Sequence, residues 1–215
     1  MKTILAIFAH PDDEAFGPAG TLALLSKKYN IELVCVTDGQ NGEKALYSQN
    51  ITDIRKHELE RSAAILGITK IHYLDFIDGS LNNLVYSEMI EEISKLIIQK
   101  EPEIVLTFEP QGFTGHLDHI AVTSVISQIF YTTNIIPNLY MYCLHEEQRL
   151  QIQSYFVYFP PGYKQKQIQV SIDISSVHEN KLNAVHAHMS QKKDQAFWLP
   201  IIQKFKKEHF LVLKK

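Results

Sequence analysis

The stretch Ile4-Leu5-Ala6-Ile7-Phe8-Ala9-His10-Pro11-Asp12-Asp13-Glu14 decides the fold, because an apolar run leads directly into a turn rich in charge. A second apolar segment with helical periodicity, residues 16–25, follows the turn. A strand that feeds a helix is the simplest interpretation of this pattern. Pro11 keeps His10 extended, since the residue before a proline is disfavoured in the helical region. The turn therefore holds one imidazole and three carboxyl groups.

Three adjacent acids in one turn repel one another unless a positive charge lies among them. A divalent metal supplies that charge, and histidine with aspartate is a ligand set that suits zinc. The alternative is that Asp12, Asp13 and Glu14 only cap the helix and complement its dipole. Capping accounts for one or two acids, but it does not account for the His-Pro pair before them.

The composition is that of an ordinary soluble domain. The chain has 215 residues, 45% of them hydrophobic and 21% charged, and its formal charge is -3. We therefore expect a single domain over residues 1–215, with a Rossmann-like core at 1–150 and a C-terminal part at 151–215. The charge gives no sign of a nucleic-acid partner. Because no membrane-length apolar run or signal peptide is apparent, we expect a cytoplasmic protein.

Apolar strand-like runs alternate with amphipathic segments along the first 150 residues. This alternation predicts an α/β fold, a Rossmann-like doubly wound, mainly parallel sheet of core order 3-2-1-4-5. The predicted strands are 2–8, 31–37, 70–74, 103–108 and 138–144. The predicted helices are 15–29, 52 or 53 to 66, 87–100 and 117–131. Beyond residue 150 the pattern predicts a strand pair, 154–159 with 167–172, and helices at 177–189 and 196–209.

A second chemical cluster, Thr114-Gly115-His116-Leu117-Asp118-His119, follows the fourth predicted strand. In the expected strand order, the carboxyl ends of strands one and four flank the crevice where ligands bind. Two histidines three residues apart lie on one helix face, so one can bind a metal while the other faces the substrate. Asp118 can orient an imidazole from behind. The alternative is a helix start with two surface imidazoles and a capping acid.

Together the two clusters resemble the zinc-dependent N-acetylglucosaminyl deacetylases of the PIG-L or LmbE-like family. The resemblance rests on Ala-His-Pro-Asp-Asp-Glu near the N-terminus and Gly-His-x-Asp-His at mid-chain. Weaker matches extend it over most of the chain: Arg55-x-x-Glu58-Leu59, Leu74-Asp75-Phe76-Ile77-Asp78-Gly79 and Ala187-His188-x-Ser190-Gln191. The resemblance implies one zinc ion per chain, held by His10, Asp13 and His119, although Fe2+ accepts the same ligands.

The resemblance also implies a general base, Asp12, which activates water at the metal. His116, held by Asp118, would stabilise the oxyanion in a charged form or protonate the leaving amine. Some relatives carry a tyrosine two residues before the position of His116, where this chain has Thr114. The residues agree with this assignment, because a metal with an open position and a spare carboxylate can together activate water.

The implied partner is a small amino-sugar substrate, with Arg55 and Asp78 as contacts to sugar hydroxyls. His188 is a candidate substrate or outer contact, and a helix cap is its alternative. The metal site also suits an amidase acting on a sugar-thiol conjugate. A metal-free Rossmann nucleotide binder is the rival of another class, but Gly-x-Gly-x-x-Gly is absent and carboxyl groups occupy the phosphate position. The sequence is compatible with a homo-oligomer.

Overall fold

The computed structural model describes residues 1–42, 51–152 and 158–215. One seven-stranded sheet has the order β3-β2-β1-β4-β5-β7-β6. Its strands are β1 (Thr3–Phe8), β2 (Asn30–Thr37), β3 (Lys70–Phe76), β4 (Ile104–Phe108), β5 (Asn138–Cys143), β6 (Val170–Asp173) and β7 (Lys207–Lys214). The helices are α1 (Asp13–Phe16), α2 (Ala19–Leu25), α3 (Ile51–Leu66), α4 (Tyr86–Lys100), α5 (Gly112–Gly115), α6 (Leu117–Thr132), α7 (Glu146–Arg149), α8 (His178–Ala187) and α9 (Lys192–Lys204).

The first five strands pair in parallel in the order 3-2-1-4-5, which confirms the predicted doubly wound core. Helices cover both faces of this sheet. Along β1, Ile4 and Phe8 point into the core under α3 and α8, whereas Leu5 and Ile7 point into the core under α4 and α6. Burial on both faces explains why β1 reads as an unbroken apolar run. β1 ends at Phe8, so His10 lies just beyond the carboxyl end of this strand, at the edge of the sheet.

The predicted first helix, 15–29, is two short helices, because the chain breaks at Gly17 and Pro18. Pro18 has no backbone N–H to donate within a continuous helix, and it stands immediately before α2 instead. A Cβ atom on Gly17 would lie 2.9 Å from the ring of Phe108, so the backbone approaches β4 closely here. The break keeps α1 as a single turn against the sheet edge.

The C-terminal third departs from the predicted pattern. The helix predicted at 196–209 ends at Lys204, and β7 follows it, inserted antiparallel between β5 and β6. The strand predicted at 167–172 is β6, which begins at Val170 and pairs with β7. Most of the strand predicted at 154–159 lies outside the described residues, and Tyr158 and Phe159 are not in a strand. The helix predicted at 177–189 is α8, preceded by a 3-10 turn.

Three further features complete the description of the fold. None of the helices among the described residues is both long and apolar enough to cross a membrane. Cys35 and Cys143 are buried and carry free thiols. The register of β1 with β4 aligns Ile4 with Ile104, so the turn after β1 and the loop after β4 emerge side by side.

Candidate metal centre and active site

Three side chains from the two sequence clusters converge at the carboxyl edge of β1 and β4. Nδ1 of His10 lies 3.0 Å from Nε2 of His119, and Oδ1 of Asp13 lies 3.1 Å from the same Nε2. The other Asp13 oxygen lies 3.6 Å from Nδ1 of His10. All three residues are buried. The backbone N–H of His10 also donates to Asp13, which fixes the turn.

The outer nitrogen of each imidazole already has a partner. Nδ1 of His119 lies 3.0 Å from the carbonyl oxygen of Gly112, which can only accept, so this nitrogen carries the proton. Nε2 of His10 lies 3.2 Å from carboxylate oxygens of both Asp78 and Asp118, so it also carries its proton. The inner nitrogens therefore present lone pairs to each other and to the Asp13 carboxylate.

This arrangement fits a cation. Tetrahedral ligands at about 2.0 Å from zinc are separated by roughly 3.3 Å, close to the spacings among these three donors. Burial by itself lowers the pKa of His10, yet the carboxylates of Asp118, Asp13 and Asp78 raise it well above its ordinary value. Burial raises the pKa of Asp13, but the two imidazoles lower it far below its usual range. The pocket thus favours positive charge among its donors.

Other donor sets overlap the first one. Ligand atoms of His10, His116 and His119 lie within 4.8 Å of one another, as do those of His10, Asp78 and Asp118. The second set includes the carboxylates that accept from Nε2 of His10. A carboxylate behind a ligating histidine sets its tautomer and orientation, and this is the usual arrangement at protein zinc sites.

Asp12 lies beside this centre in a strained backbone conformation, with φ at +148°. Arg55 holds the strained turn, because one guanidinium nitrogen donates to the Pro11 carbonyl and to the Asp12 carboxylate, each at 2.9 Å. Its other terminal nitrogen donates to the Gly39 carbonyl. Burial raises the pKa of Asp12 to about 7, against the lowering effect of Arg55. A carboxyl group with that pKa can exchange a proton near neutral pH.

His116 lies above His10, with ring centroids 4.7 Å apart. Its Nδ1 accepts from the backbone N–H of Asp118 and caps α6, which places the proton of the neutral ring on Nε2. Burial, together with His10 and His119, lowers the pKa of His116 to about 4. The structure therefore favours a neutral ring, whereas the sequence suggested a charged one.

The carboxylate of Asp118 faces His10, which corrects the expectation that it holds His116. It accepts from Nε2 of His10 and from the backbone N–H groups of Gly79 and Leu81. The backbone N–H of Asp118 donates to Nδ1 of His116. Asp78 also accepts from Nε2 of His10. This hydrogen bond helps to lower the pKa of Asp78 to about 2 despite burial.

The loop after β4 is held by a residue that the sequence analysis missed. Glu109 is buried and accepts from the backbone N–H of Phe113 and from the hydroxyl of Tyr163. It thereby holds Phe113 at φ +63°, between glycines 112 and 115 that also have positive φ. The two glycines signal a tight loop in the sequence, but nothing local pairs Glu109 with a tyrosine 54 residues away.

His188 is fully buried behind the turn that carries His10 and Asp13, and it does not line the cavity. Its Nε2 lies 2.8 Å from Glu14, whose same oxygen accepts from the hydroxyl of Ser62. His188 is therefore placed to act through Glu14 and does not reach a substrate. Glu14 neither caps the helix nor contacts the three converging donors, and it ties α1 to α3 and to the end of α8.

A cavity of about 360 Å³ opens over these groups. Seven of the sequence-predicted site residues line it: His10, Asp12, Asp13, Arg55, Asp78, His116 and His119. Its remaining lining residues among those described are Phe16, Asn41, Gly42, Phe113, Thr114, Gln191, Asp194 and Trp198. Of the sequence-predicted site residues, Asp118 and His188 lie behind the cavity wall. Carboxyl groups occupy the turn where a nucleotide phosphate would need bare backbone N–H groups.

Comparison with known proteins gives a family match over more than half of the chain. Residues 5–130 match the family described as PIG-L, GlcNAc-PI de-N-acetylase. This range contains both clusters and ends before the last three strands, β5, β6 and β7.

Two curated relatives and one solved structure are similar over most of the chain. A diacetylchitobiose deacetylase of Thermococcus kodakarensis is 31% identical, over 94% of this chain and 76% of the relative. A probable N-acetyl-alpha-D-glucosaminyl L-malate deacetylase 2 of Bacillus anthracis is 28% identical, over 88% and 81%. The inhibitor complex of the N,N′-diacetylchitobiose deacetylase of Pyrococcus horikoshii superposes with a TM-score of 0.75 at 25% identity, over 99% of this chain and 84% of that one.

Proposed function

Because the chain belongs to the PIG-L family of GlcNAc-PI de-N-acetylases, we propose that it is a metal-dependent N-deacetylase of N-acetylglucosamine-type conjugates. Water would add across the acetamide C–N bond, so that acetate and a free amino sugar leave. The names of both curated relatives support this reaction class.

The proposed metal ligands are His10 through Nδ1, Asp13, and His119 through Nε2. The observation that carries the proposal is that these inner donors face one another while the outer nitrogens are already committed. A zinc ion bound there supplies a Lewis acid that polarises the acetamide carbonyl and acidifies water. Asp78 and Asp118 keep His10 in the tautomer that leaves Nδ1 unprotonated.

Asp12 is the proposed general base. Its carboxylate borders the ligand triad without joining it, and Arg55 fixes one oxygen at 2.9 Å, which leaves the other oxygen to take a proton from water. His116 is the proposed oxyanion donor. A neutral ring with its proton on Nε2 can donate to the developing negative charge without carrying a charge of its own.

The leaving amine needs a proton. Asp12 returns the proton it has taken, in the usual sequence of base and then acid. Arg55 would serve mainly to hold Asp12, because its terminal nitrogens already bond the carbonyls of Pro11 and Gly39. Contacts from Arg55 and Asp78 to sugar hydroxyls remain predictions.

Acetate release from N-acetylglucosamine conjugates tests the function. We expect the zinc-loaded protein to release acetate and the chelator-stripped protein to lose this activity. Asp12→Asn should lower kcat about 100-fold or more at unchanged zinc content. Asp75→Asn is the matched control, since Asp75 pairs with Lys56 at the surface and should leave kcat unchanged. Undiminished release by the stripped protein or by Asp12→Asn would contradict the proposal.

A further inference from the structure

The loop that follows α8 carries buried polar side chains that the proposed chemistry does not use. His188 and Ser190 are fully buried, and Gln191 is 2% exposed. Resting on the proposed function, we propose that His188 and Ser190 are positioning residues for the general base, Asp12, which they hold through two separate series of contacts. We call residues 188–191 the α8 loop.

Asp12 depends on its surroundings because its backbone is strained. Its φ of +148° and ψ of -17° lie outside the regions that an L-residue ordinarily occupies. A strained residue keeps such a conformation only where the contacts around it over-determine it. The Asp12 carbonyl accepts from the N–H groups of Ala15 and Phe16 at 2.9 and 3.0 Å, which ties the strained residue to α1. The direction of the Asp12 carboxylate therefore depends on what holds α1 and on what holds the carboxylate itself.

The first series of contacts runs from the α8 loop to α1. Nε2 of His188 lies 2.8 Å from an oxygen of Glu14, and the hydroxyl of Ser62 donates to the same oxygen. Glu14 lies two residues after Asp12 and is 1% exposed. Because α1 is a single turn of four residues, it gains little rigidity from its own hydrogen bonds. His188 and Ser62 therefore fix α1, and with it the backbone of Asp12.

The second series of contacts runs from the α8 loop to the Asp12 carboxylate. The backbone N–H and the hydroxyl of Ser190 donate to the two carboxylate oxygens of Glu58 at 2.7 and 2.6 Å. Glu58 lies three residues after Arg55 on α3, so the two side chains share a helix face. Arg55 donates to the Asp12 carboxylate and to the Pro11 carbonyl, each at 2.9 Å. Ser190 thereby fixes the turn of α3 that directs Arg55 to the base.

Stability alone does not account for these contacts. A buried charged pair contributes little net stability relative to well-packed apolar side chains of similar volume. Yet two buried carboxylates, Glu14 and Glu58, both bond to the α8 loop, and each leads to the same strained turn. Neither carboxylate lines the cavity, so neither is placed to touch a substrate. The arrangement fits a role in setting the geometry of Asp12.

Paired substitutions at His188 and Glu58 test the inference. His188→Leu and Glu58→Ala remove the contacts, whereas His188→Gln keeps an N–H for Glu14 and Glu58→Gln keeps an acceptor for Ser190. We expect each of the first two variants to lower kcat for acetate release about tenfold, because a small displacement of a reacting group is costly. Zinc content should match wild type in all four variants, and the two glutamine variants should recover most of kcat. KM of His188→Leu should stay near that of wild type, because neither His188 nor Glu14 lines the cavity.

A double-mutant cycle with Asp12→Asn separates positioning of the base from a general effect on the fold. Asp12→Asn has no base to misplace, so adding His188→Leu or Glu58→Ala should not lower its residual kcat further. A defect in zinc binding or in folding would instead lower kcat by the same factor in both backgrounds. His72→Leu is the matched control, because it removes another imidazole–carboxylate contact. Nε2 of His72 lies 2.6 Å from Glu32 near the amino ends of β2 and β3, and kcat should be unchanged.

Crystal structures of the zinc-loaded variants give a readout besides activity. In His188→Leu and Glu58→Ala, the Asp12 carboxylate should leave its wild-type position, and its 2.9 Å contact with Arg55 should lengthen or be lost. Milder substitutions take the place of a variant that does not fold. Ser190→Ala removes one of the two donors to Glu58, and His188→Asn has a side chain too short to reach Glu14.

Wild-type kcat in either His188→Leu or Glu58→Ala overturns the inference while the proposed deacetylase function stands. A loss of kcat that is equally large in the Asp12→Asn background also overturns it. If the wild type releases no acetate from any N-acetylglucosamine conjugate, the proposed function fails and the crystal structures decide the positioning. A displaced Asp12 carboxylate then supports the positioning, and an unmoved one overturns it as well.

Discussion

Replacing Asp118 by asparagine should weaken zinc binding without removing a ligand. The Asp118 carboxylate accepts from three donors: Nε2 of His10 at 3.2 Å, and the backbone N–H groups of Gly79 and Leu81 at 2.7 and 3.2 Å. An asparagine side chain has one acceptor oxygen, so its amide N–H must face at least one of these donors. The hydrogen bond that fixes His10 also loses its negative partner.

The magnitude follows from the presence of a second carboxylate. Removing an outer carboxylate typically costs 10- to 100-fold in metal affinity. Asp78 lies 3.2 Å from the same nitrogen, so it retains part of the orientation when Asp118 is changed. We therefore expect about a tenfold loss in zinc affinity for Asp118→Asn alone. The double variant with Asp78→Asn should lose more than the product of the two single losses, because each carboxylate compensates for the other.

Zinc affinity is measured by competition with a chromophoric chelator at pH 7.5, on protein shown to be folded by circular dichroism. Asp75→Asn is the matched control, since Asp75 is exposed and its positive φ suits asparagine. Zinc affinity within twofold of wild type for both Asp118→Asn and the double variant would refute the role given to these carboxylates.

Three further outcomes follow from particular side chains. His116→Ala should lower kcat for acetate release about 100-fold with zinc content unchanged, because it removes an oxyanion donor and no ligand; a lost zinc ion would contradict this. Lys181→Met should destabilise the fold by about 3 kcal/mol in urea unfolding, because it leaves the buried Glu208 carboxylate without its 2.7 Å partner. Burial and the neighbouring His145 lower the pKa of His209 to about 4, so the unfolded chain binds a proton that the folded chain does not between about pH 6.5 and 4. The free energy of unfolding should therefore fall as pH drops through this window, and His209→Gln should flatten that dependence in urea titrations at several pH values.

The parallel core was predictable because its signals are local. Each of the first five strands is an apolar run, and a parallel sheet covered on both faces requires such runs. The convergence of His10 with His119 was also predictable, although 109 residues separate them. It follows from the strand order alone, which sets the carboxyl ends of β1 and β4 side by side.

The position of β7 and the partners of Glu14, His188 and Asp118 were not predictable, because they depend on long-range contacts that leave no local sequence pattern. β7 pairs with β5 across more than sixty residues, and its sequence, Lys-Glu-His-Phe-Leu-Val-Leu, follows directly on α9. Glu14 and His188 are in contact although they are 174 residues apart in the sequence. Because the sequence does not show this contact, it suggested a helix cap for Glu14 and a substrate contact for His188. Asp118 lies next to His116 in the helical turn, but its carboxylate points to His10.

Anomalous diffraction at the zinc absorption edge, from crystals of the zinc-loaded protein, tests the central claim most directly. We expect one peak within bonding distance, about 2.0–2.2 Å, of His10 Nδ1, His119 Nε2 and an Asp13 oxygen, with Asp12 beside it and not bound. A single peak on the other side of His10, between Asp78 and Asp118, would contradict it. So would the absence of any peak near His119.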